Sequence, residues 1–502
     1  MQADARIRAD FGRAIGEISG GIYGHFIEHL GACVYGGIWP LGEPGIKTLR
    51  GMRTDVIALI KELQPSCMRW PGGCFSEYYH WEDGIGPVEK RPWRFDWFWK
   101  KPEPNIVGTH EFIAFCREVG AEPVVAVNVR TGTPEEAAAW VEYCNGPSTS
   151  RQGRRRARNG HSEPFGIRTW DVGNESWDMG AEESARRFLA FHQEMKKADA
   201  SVKLVAVGSN QWDENWNRTM LSIAGDALDY IAPHHYDGWG GAHERSEPKH
   251  HYANVASSVR IVNTLQRLAE LLDEMLPRRP EVGIAMDEWG IWTHHEQGVQ
   301  HDYDLSDALT AACVFNAMHR LCRRVKMANW AQLVNVLGLI QAHGNRSWPT
   351  PVHRVFQLYR NRCIGSAVEC QVESATFDVD PSVRPGLAGI PYLDASAIRR
   401  GACPARGSRP VLNGAEGTVP TMVLAVVNRH AESAMETRLE LSGVGSSARV
   451  LVEEINGPSL FAHNGPDSHD TVGIRSRYLD RLPETYSFPA HSITVISLGQ
   501  GQ

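Results

Sequence analysis

The sequence predicts an α/β protein, a (β/α)8 TIM barrel with a C-terminal, jelly-roll-like β-sandwich completed by N-terminal strands. Three observations predict it. Between about residues 20 and 360, eight short apolar runs alternate with helical stretches, which is the rhythm of parallel strands joined by crossover helices. Beyond about residue 360 the helical period vanishes, and β-rich runs follow one another between Gly, Pro, Ser and Asn. Before residue 20 the chain alternates loosely, with no helix of its own. The expected division is therefore 20–360 for the catalytic barrel and 1–19 plus 361–502 for the sandwich.

Taken in order, Gly21-Ile22-Tyr23-Gly24-His25-Phe26 reads as the first barrel strand, followed by a long loop and a helix from Arg53 to Leu63. Ser66–Trp70 is the second strand, stopped by Pro71-Gly72-Gly73. After a helix at His110 to Val119 comes Pro123–Val129, whose continuous apolar run suits burial on both faces. The fourth strand, Trp170-Asp171-Val172-Gly173, ends abruptly in Asn174-Glu175. Lys203–Gly208 and Tyr230–Tyr236 are the fifth and sixth. An amphipathic helix from about Ala253 to Met275 leads to Val282–Glu288, and a helix from Leu305 to Cys322 leads to Lys326–Leu333. Thr421–Asn428, Ala448–Val452 and Ser492–Leu498 are the clearest sandwich strands.

A net charge of −7 over 502 residues is that of an ordinary acidic protein, which makes nucleic acid and anionic membranes poor partners. The arginine-rich stretch Arg151–Arg158 accordingly reads as a solvated or oligomer-contacting loop. Ten cysteines without a C-x-x-C pair read as buried free thiols of a reducing compartment. Met1–Arg6 lacks the pattern of a signal peptide and no apolar run is long enough to span a bilayer, so a cytoplasmic protein is expected. Most of the sixteen tryptophans are core fillers, with a share available to stack on flat ligands such as sugars.

In such a barrel the working groups sit at the C-terminal strand ends. Reading those ends gives Glu28, Arg69, Cys74, Asn128, Asn174, Glu175, His235, Tyr236 and Glu288. Glu175 and Glu288 close the fourth and seventh strands and face one another across the mouth. Paired carboxylates flanking a substrate are what glycoside cleavage needs, one to protonate the leaving oxygen and one to attack or stabilise the anomeric carbon. Asn174 can donate its amide to a sugar hydroxyl beside the reacting carbon. The histidine pairs 234-235, 250-251 and 294-295 invite a metal reading. Neighbouring strand residues point to opposite faces, however, so such pairs seldom chelate one ion, and no metal or other cofactor is expected. His235 reads instead as a partner orienting a catalytic carboxylate.

Five stretches carry a resemblance: Gly24-His25-Phe26-Ile27-Glu28-His29-Leu30-Gly31, Arg69-Trp70-Pro71-Gly72-Gly73-Cys74-Phe75, Trp81-Glu82-Asp83-Gly84-Ile85-Gly86-Pro87, Val172-Gly173-Asn174-Glu175 and Asp287-Glu288-Trp289-Gly290. In this order they resemble the α-L-arabinofuranosidases of glycoside hydrolase family 51, and the likeness runs from about residue 5 to Val495. The resemblance implies a retaining exo-hydrolase of clan A acting on arabinofuranosyl-containing oligosaccharides. It implies Glu175 as acid/base and Glu288 as nucleophile. Glu28, Arg69, Cys74, Asn174 and Tyr236 would line the arabinose subsite, with Trp99 and Trp292 near its entrance. It also implies a metal-free intracellular homo-oligomer, often a hexamer. Many relatives carry Asn at position 74 and Asn where Ser176 stands. The segment Trp348-Pro349-Thr350-Pro351 does not place the polar sugar ligand that some relatives supply after the eighth strand. Another clan A glycosidase, such as an endo-glucanase or a β-xylosidase, and a non-catalytic sugar-binding barrel remain the alternatives.

Overall fold

The computed structural model describes residues 4–240, 244–292, 299, 301–400, 422–444 and 450–499. Cys403, His294-His295 and residues 421, 448 and 449 of the expected sandwich strands lie outside the described residues. Strand β1 (Ala5–Glu17) precedes eight parallel strands: β2 (Gly24–Phe26), β3 (Cys67–Trp70), β4 (Glu122–Val127), β5 (Thr169–Val172), β6 (Lys203–Asn210), β7 (Tyr230–Tyr236), β8 (Gly283–Gly290) and β9 (Val325–Ala331). These close in sequential order, β9 pairing with β2, so the expected barrel is present.

The barrel is filled in two tiers. Low in its lumen, Cys67, Val124, Val205, Ala232, Ala285 and Met327 make a small apolar plug. Above the plug the lumen turns polar, with the buried Arg69, Asp171 and Asp287. A packed floor with a charged ceiling confines any ligand to the C-terminal mouth.

Apart from four two-stranded ribbons, the other strands among the described residues are β10 (Ser366–Glu373), β11 (Leu393–Arg399), β12 (Met422–Asn428), β13 (Met435–Ser442), β14 (Val450–Asn456), β15 (Gly473–Leu479), β16 (Thr485–Phe488) and β17 (Ser492–Leu498). With β1 they form one nine-stranded sheet, in the order β15-β14-β17-β12-β11-β10-β1-β13-β16, curled around its own core. Alternation divides each inner strand between two cores. In β12, Leu424 and Val426 enter the core of the sheet, whereas Val423, Ala425 and Val427 join the core of the barrel. The helix Leu305–Arg320 lies between the two bodies and is buried on every side from Leu305 to His319. It is riveted to β11 by Asn316 Nδ2 to Asp394 Oδ2 (3.0 Å), the His319 Nδ1 and Ser396 Oγ pair (2.9 Å), and Arg320 Nη1 to the Ala395 carbonyl (2.6 Å).

Three sequence expectations need correction. Gly21–Phe26 is not one strand: Gly20–Tyr23 is a 3-10 turn, and only Gly24–Phe26 pairs in the barrel. A Cβ on Gly21 would lie 2.5 Å from the Lys326 carbonyl oxygen, an approach that only glycine allows. The segment Ala253–Met275 is two helices, Pro248–Val255 and Ser257–Met275. Finally, Arg151–Arg158 is a helix rather than a loop, capped by Ser150, whose hydroxyl accepts from Gly153 N. Its Arg156 is fully buried and donates to the carbonyls of Tyr143, His161 and Ser162, so this cation stitches loops together.

The nine described cysteines form no disulfide; Cys74 and Cys370 are half-buried and the others are buried. Among the described residues, no helix is long and apolar enough to cross a membrane.

Candidate active site

Glu175 owes its position to a backbone reversal at the tip of β5. Gly173 has φ +92°, and a Cβ there would meet Val129 Cγ2 at 2.6 Å. Glu175 is itself left-handed (φ 37°, ψ 37°) and starts the 3-10 turn Ser176–Met179. A non-glycine residue held there costs on the order of 1–3 kcal/mol, so its surroundings must fix it. His234 Nδ1 lies 2.9 Å from Glu175 Oε1, and Trp177 Nε1 anchors the following turn on the Gly208 carbonyl at 3.0 Å. The carboxyl is thereby turned into the mouth and stays partly open to solvent.

Glu288, on β8, is nearly closed off. Its Oε1 accepts from Arg69 Nη1 at 2.6 Å and its Oε2 from the Tyr236 hydroxyl at 2.8 Å. Arg69 also donates from Nε to Asp171 Oδ2 (2.5 Å) and from Nη2 to Asn174 Oδ1 (2.9 Å), so one guanidinium on β3 aligns groups from β5 and β8. Glu28 lies beyond the tip of β2. Its Oε1 accepts from Phe75 N (3.0 Å) and Trp99 Nε1 (2.9 Å), and its Oε2 from Gln332 Nε2 (3.0 Å). The glycines after β3 make this crowding possible, since a Cβ on Gly72 would sit 2.6 Å from Glu28 Cγ and one on Gly73 2.7 Å from Glu288 Oε1. Cys74 Sγ is 3.6 Å from Glu175 Oε2 and 3.7 Å from Asn174 Nδ2. Trp292 meets the Tyr236 ring edge-on at 5.5 Å.

Five carboxyl groups, Glu28, Asp171, Glu175, Asp287 and Glu288, share this site with two cationic side chains. Burial alone would discharge His234, but Glu288 and Asp287 outweigh it and hold the imidazole well above the ordinary histidine range. The ring faces a carboxylate through each of its nitrogens. Its Nε2 reaches Asp287 Oδ1 at 3.0 Å. The excess negative charge is met by proton uptake elsewhere: burial and Glu288 push Glu28 up to about 7, and burial with Asp287 pushes Asp171 up to about 7. Burial also raises Glu288, with His234 and Arg69 opposing the rise.

All the predicted positions except Asn128 and His235 gather here. Asn128, at the tip of β4, turns its amide to the Tyr79 carbonyl and Thr131 Oγ1 instead. His235 faces out of the barrel, its Nδ1 2.9 Å from Thr264 Oγ1 and its Nε2 3.6 Å from Asp237. The orienting histidine is His234. Residues i and i+2 of a strand share a face, so placing Tyr236 in the pocket puts His234 there as well and turns His235 away. Asp287 stands in the motif Asp287-Glu288-Trp289-Gly290 and Asp171 in the fourth strand, and both meet Arg69 inside the barrel, a contact that no local pattern announces. Gln332, at the end of the expected strand Lys326–Leu333, follows directly on β9 and bonds Glu28.

The alpha-L-arabinofuranosidase 1 domain matches residues 59–254, and the alpha-L-arabinofuranosidase C-terminal domain matches residues 287–492. An intracellular exo-alpha-L-arabinofuranosidase of Bacteroides ovatus is 34% identical over 375 residues, 71% of this chain and 72% of that protein. The arabinose complex of the Thermotoga maritima alpha-L-arabinofuranosidase superposes with a TM-score of 0.87 at 34% identity, covering 99% of this chain and 100% of that one. The thermostable GH51 alpha-L-arabinofuranosidase of Thermotoga petrophila RKU-1 gives a TM-score of 0.87 at 35% identity, covering 98% and 99%. The barrel, the curled sheet and this pattern of matches agree: the chain belongs to the α-L-arabinofuranosidases of glycoside hydrolase family 51.

Proposed function

We propose that the protein removes terminal α-L-arabinofuranosyl residues from arabino- or arabinoxylo-oligosaccharides with retention of configuration, Glu288 acting as nucleophile and Glu175 as acid/base. One observation carries the mechanism: an oxygen of Glu175 and an oxygen of Glu288 lie within 4.8 Å of each other. Retaining glycosidases hold their carboxyl groups about 5–5.5 Å apart, whereas inverting ones need about 6.5–9.5 Å to admit water between them.

In the first step a Glu288 oxygen attacks the anomeric carbon, the bond to the leaving oxygen breaks, and that oxygen takes the proton of Glu175. His234 occupies Oε1 of Glu175, which leaves Oε2 to carry the proton. Arg69 and Tyr236 hold Glu288 in line. In the second step Glu175 accepts a proton from water, the water oxygen bonds to the anomeric carbon, and Glu288 departs as carboxylate. Loss of the negative charge on Glu288 in the ester is what allows Glu175 to change from acid to base. Glu28, Asn174, Gln332 and Cys74 would hold the sugar; Gln332 Oε1 has no hydrogen-bond partner among the described residues and could accept from a hydroxyl.

The test is Glu175→Ala. It should cripple substrates with poor leaving groups far more than activated aryl arabinofuranosides, and azide should restore turnover by displacing Glu288 from the β-linked ester to give an α-arabinofuranosyl azide. Inverted product from the wild type, read by NMR at early times, would sink the scheme. The free thiols and the intracellular Bacteroides relative support a cytoplasmic location. The assignment as a homo-oligomer, a hexamer by resemblance, is tested by sedimentation.

A further inference from the structure

The described surface exposes an aromatic group that the mechanism does not use. Trp93, Phe95, Trp97 and Phe98 are 71, 47, 61 and 42% exposed, and they lie on or beside the short hairpin formed by Arg94–Asp96 and Lys101–Glu103. Exposed rings concentrated in one place mark a contact surface. The hairpin is firmly tied down. Asp96 Oδ1 accepts from the amides of Phe98 and Trp99, Arg94 makes a two-pronged pair with Asp83, and Glu103 is bonded by His29 and Tyr35. A cleft of about 660 Å³ opens beside it, walled by Tyr78, His80, Arg94, Phe95, Trp97 and Glu136.

We propose that this cleft is a subsite for the leaving-group side of the substrate, binding the pentose chain from which the terminal arabinose is cut. The inference rests on the reading of the preceding section and extends it to substrate class. Continuity with the catalytic centre carries it, along two routes. The 3-10 helix Cys74–Tyr78 starts at the thiol beside Glu175 and ends at Tyr78 on the cleft wall, roughly 8 Å along at about 2 Å per residue. On the other side, Trp99, which donates to Glu28, packs against Phe98 at 4.8 Å, in the same hairpin as Phe95 and Trp97. The arabinose pocket is closed by buried groups, so the rest of an oligosaccharide must leave through the mouth. The wall also has the make-up that sugars require: ring faces for C–H surfaces, and imidazole, carboxylate and guanidinium groups for hydroxyls. The His80 Nδ1 and Glu136 Oε1 pair, at 2.9 Å, holds two of these in place.

The experiment compares wild type, Trp97→Phe and the double variant Phe95→Ala/Trp97→Ala on an aryl α-L-arabinofuranoside, a linear arabino-oligosaccharide and an arabinoxylo-oligosaccharide. The double variant should lose about tenfold or more in kcat/KM, mostly through KM, on one or both oligosaccharides, and less than about twofold on the aryl glycoside; Trp97→Phe should retain most of the activity. Which oligosaccharide responds identifies the chain. Titration with an arabinose-free xylo-oligosaccharide and with a linear arabino-oligosaccharide, followed by tryptophan fluorescence, gives a readout independent of turnover. At least one should quench the wild type and fail to quench the double variant. Parallel losses on all substrates, or no loss and no quenching, would overturn the proposal. So would unchanged oligosaccharide kinetics with an altered sedimentation coefficient, which would make the surface a contact between copies of the chain. Failure of the wild type to turn over the aryl glycoside would strike the preceding reading instead, with the fluorescence arm still deciding on the cleft.

Discussion

Two buried arginines in this molecule sit among carboxylates and serve opposite ends. Arg245 donates from Nη1 to both oxygens of Asp304 (3.0 and 2.9 Å) and pairs through Nη2 with Asp307 at 2.8 Å; all three side chains are closed to solvent. Its other donors are spent on the carbonyls of Trp239 and Gly240, so the cluster binds the segment after β7 to the start of the helix Leu305–Arg320. Arg69 also joins carboxylates, but its cluster opens to the mouth at Glu175, and Asp171 Oδ1 in it has no hydrogen-bond partner among the described residues. The ingredients are alike. Satisfaction and closure make one cluster a lock, while surplus charge and an opening make the other reactive.

The largest test of that contrast is Glu288→Ala, which should lower kcat by about four orders of magnitude or more while thermal unfolding shows the fold unharmed or firmer, one buried charge having left a crowded site. Arg245→Met should do the reverse. It strands Asp304 and Asp307, so stability should fall by about 3–5 kcal/mol in denaturant melts, while the folded fraction keeps its turnover. A variant with normal stability would mean that the lock holds nothing. His234→Asn should reduce kcat/KM by about 10²-fold, because Glu175 loses the group that aims it. His235→Asn should leave kcat/KM almost unchanged and cost only about 1 kcal/mol of stability; equal kinetic effects of the two would break the assignment.

The smallest effect is a pH slope. The Glu28 carboxyl is pushed up to about 7 from an ordinary value near 4.5, so between those limits the folded protein binds more protons than the unfolded chain. Stability therefore falls as pH rises through this window. Replacing Glu28 by Gln should raise the melting temperature more at pH 8 than at pH 5, and remove an inflection near pH 7 from the kcat/KM profile. A melting difference that is the same at both pH values would show that Glu28 does not titrate there.

How much of this was legible before the structure depends on the range of the interactions. The strand tips carrying Arg69, Cys74, Asn174, Glu175, Tyr236 and Glu288 could be read because short runs set both their place and their chemistry. The choice between His234 and His235 is also legible, through the parity set by Tyr236, which puts His234 on the pocket face and His235 on the outer one. Gln332 carried a weak signal, a lone amide at the end of the last barrel strand, and nothing local ties it to Glu28, 304 residues away. The helix Arg151–Arg158 was illegible for a stronger reason. Five arginines in eight residues look solvated, and Arg156 is buried only because carbonyls of Tyr143, His161 and Ser162 converge on it. The 3-10 turn at Gly20–Tyr23 depends likewise on the approach of Lys326.

Strand β1 has a bearing on how the molecule is made. Arg8 contacts Glu373, 365 residues further along, and Glu440, 432 residues along. At about 5–20 residues per second, ribosomes need tens of seconds to supply those partners, and the barrel has time to assemble while the N-terminal strand stays unpaired. Once in place it lies between β10, antiparallel, and β13, parallel, so a sheet translated after the barrel is completed by a strand translated before it. Deleting residues 1–17 would then leave a soluble barrel beside two bare sheet edges, and the damage should show as aggregation of nascent or refolding chains rather than as a slower enzyme.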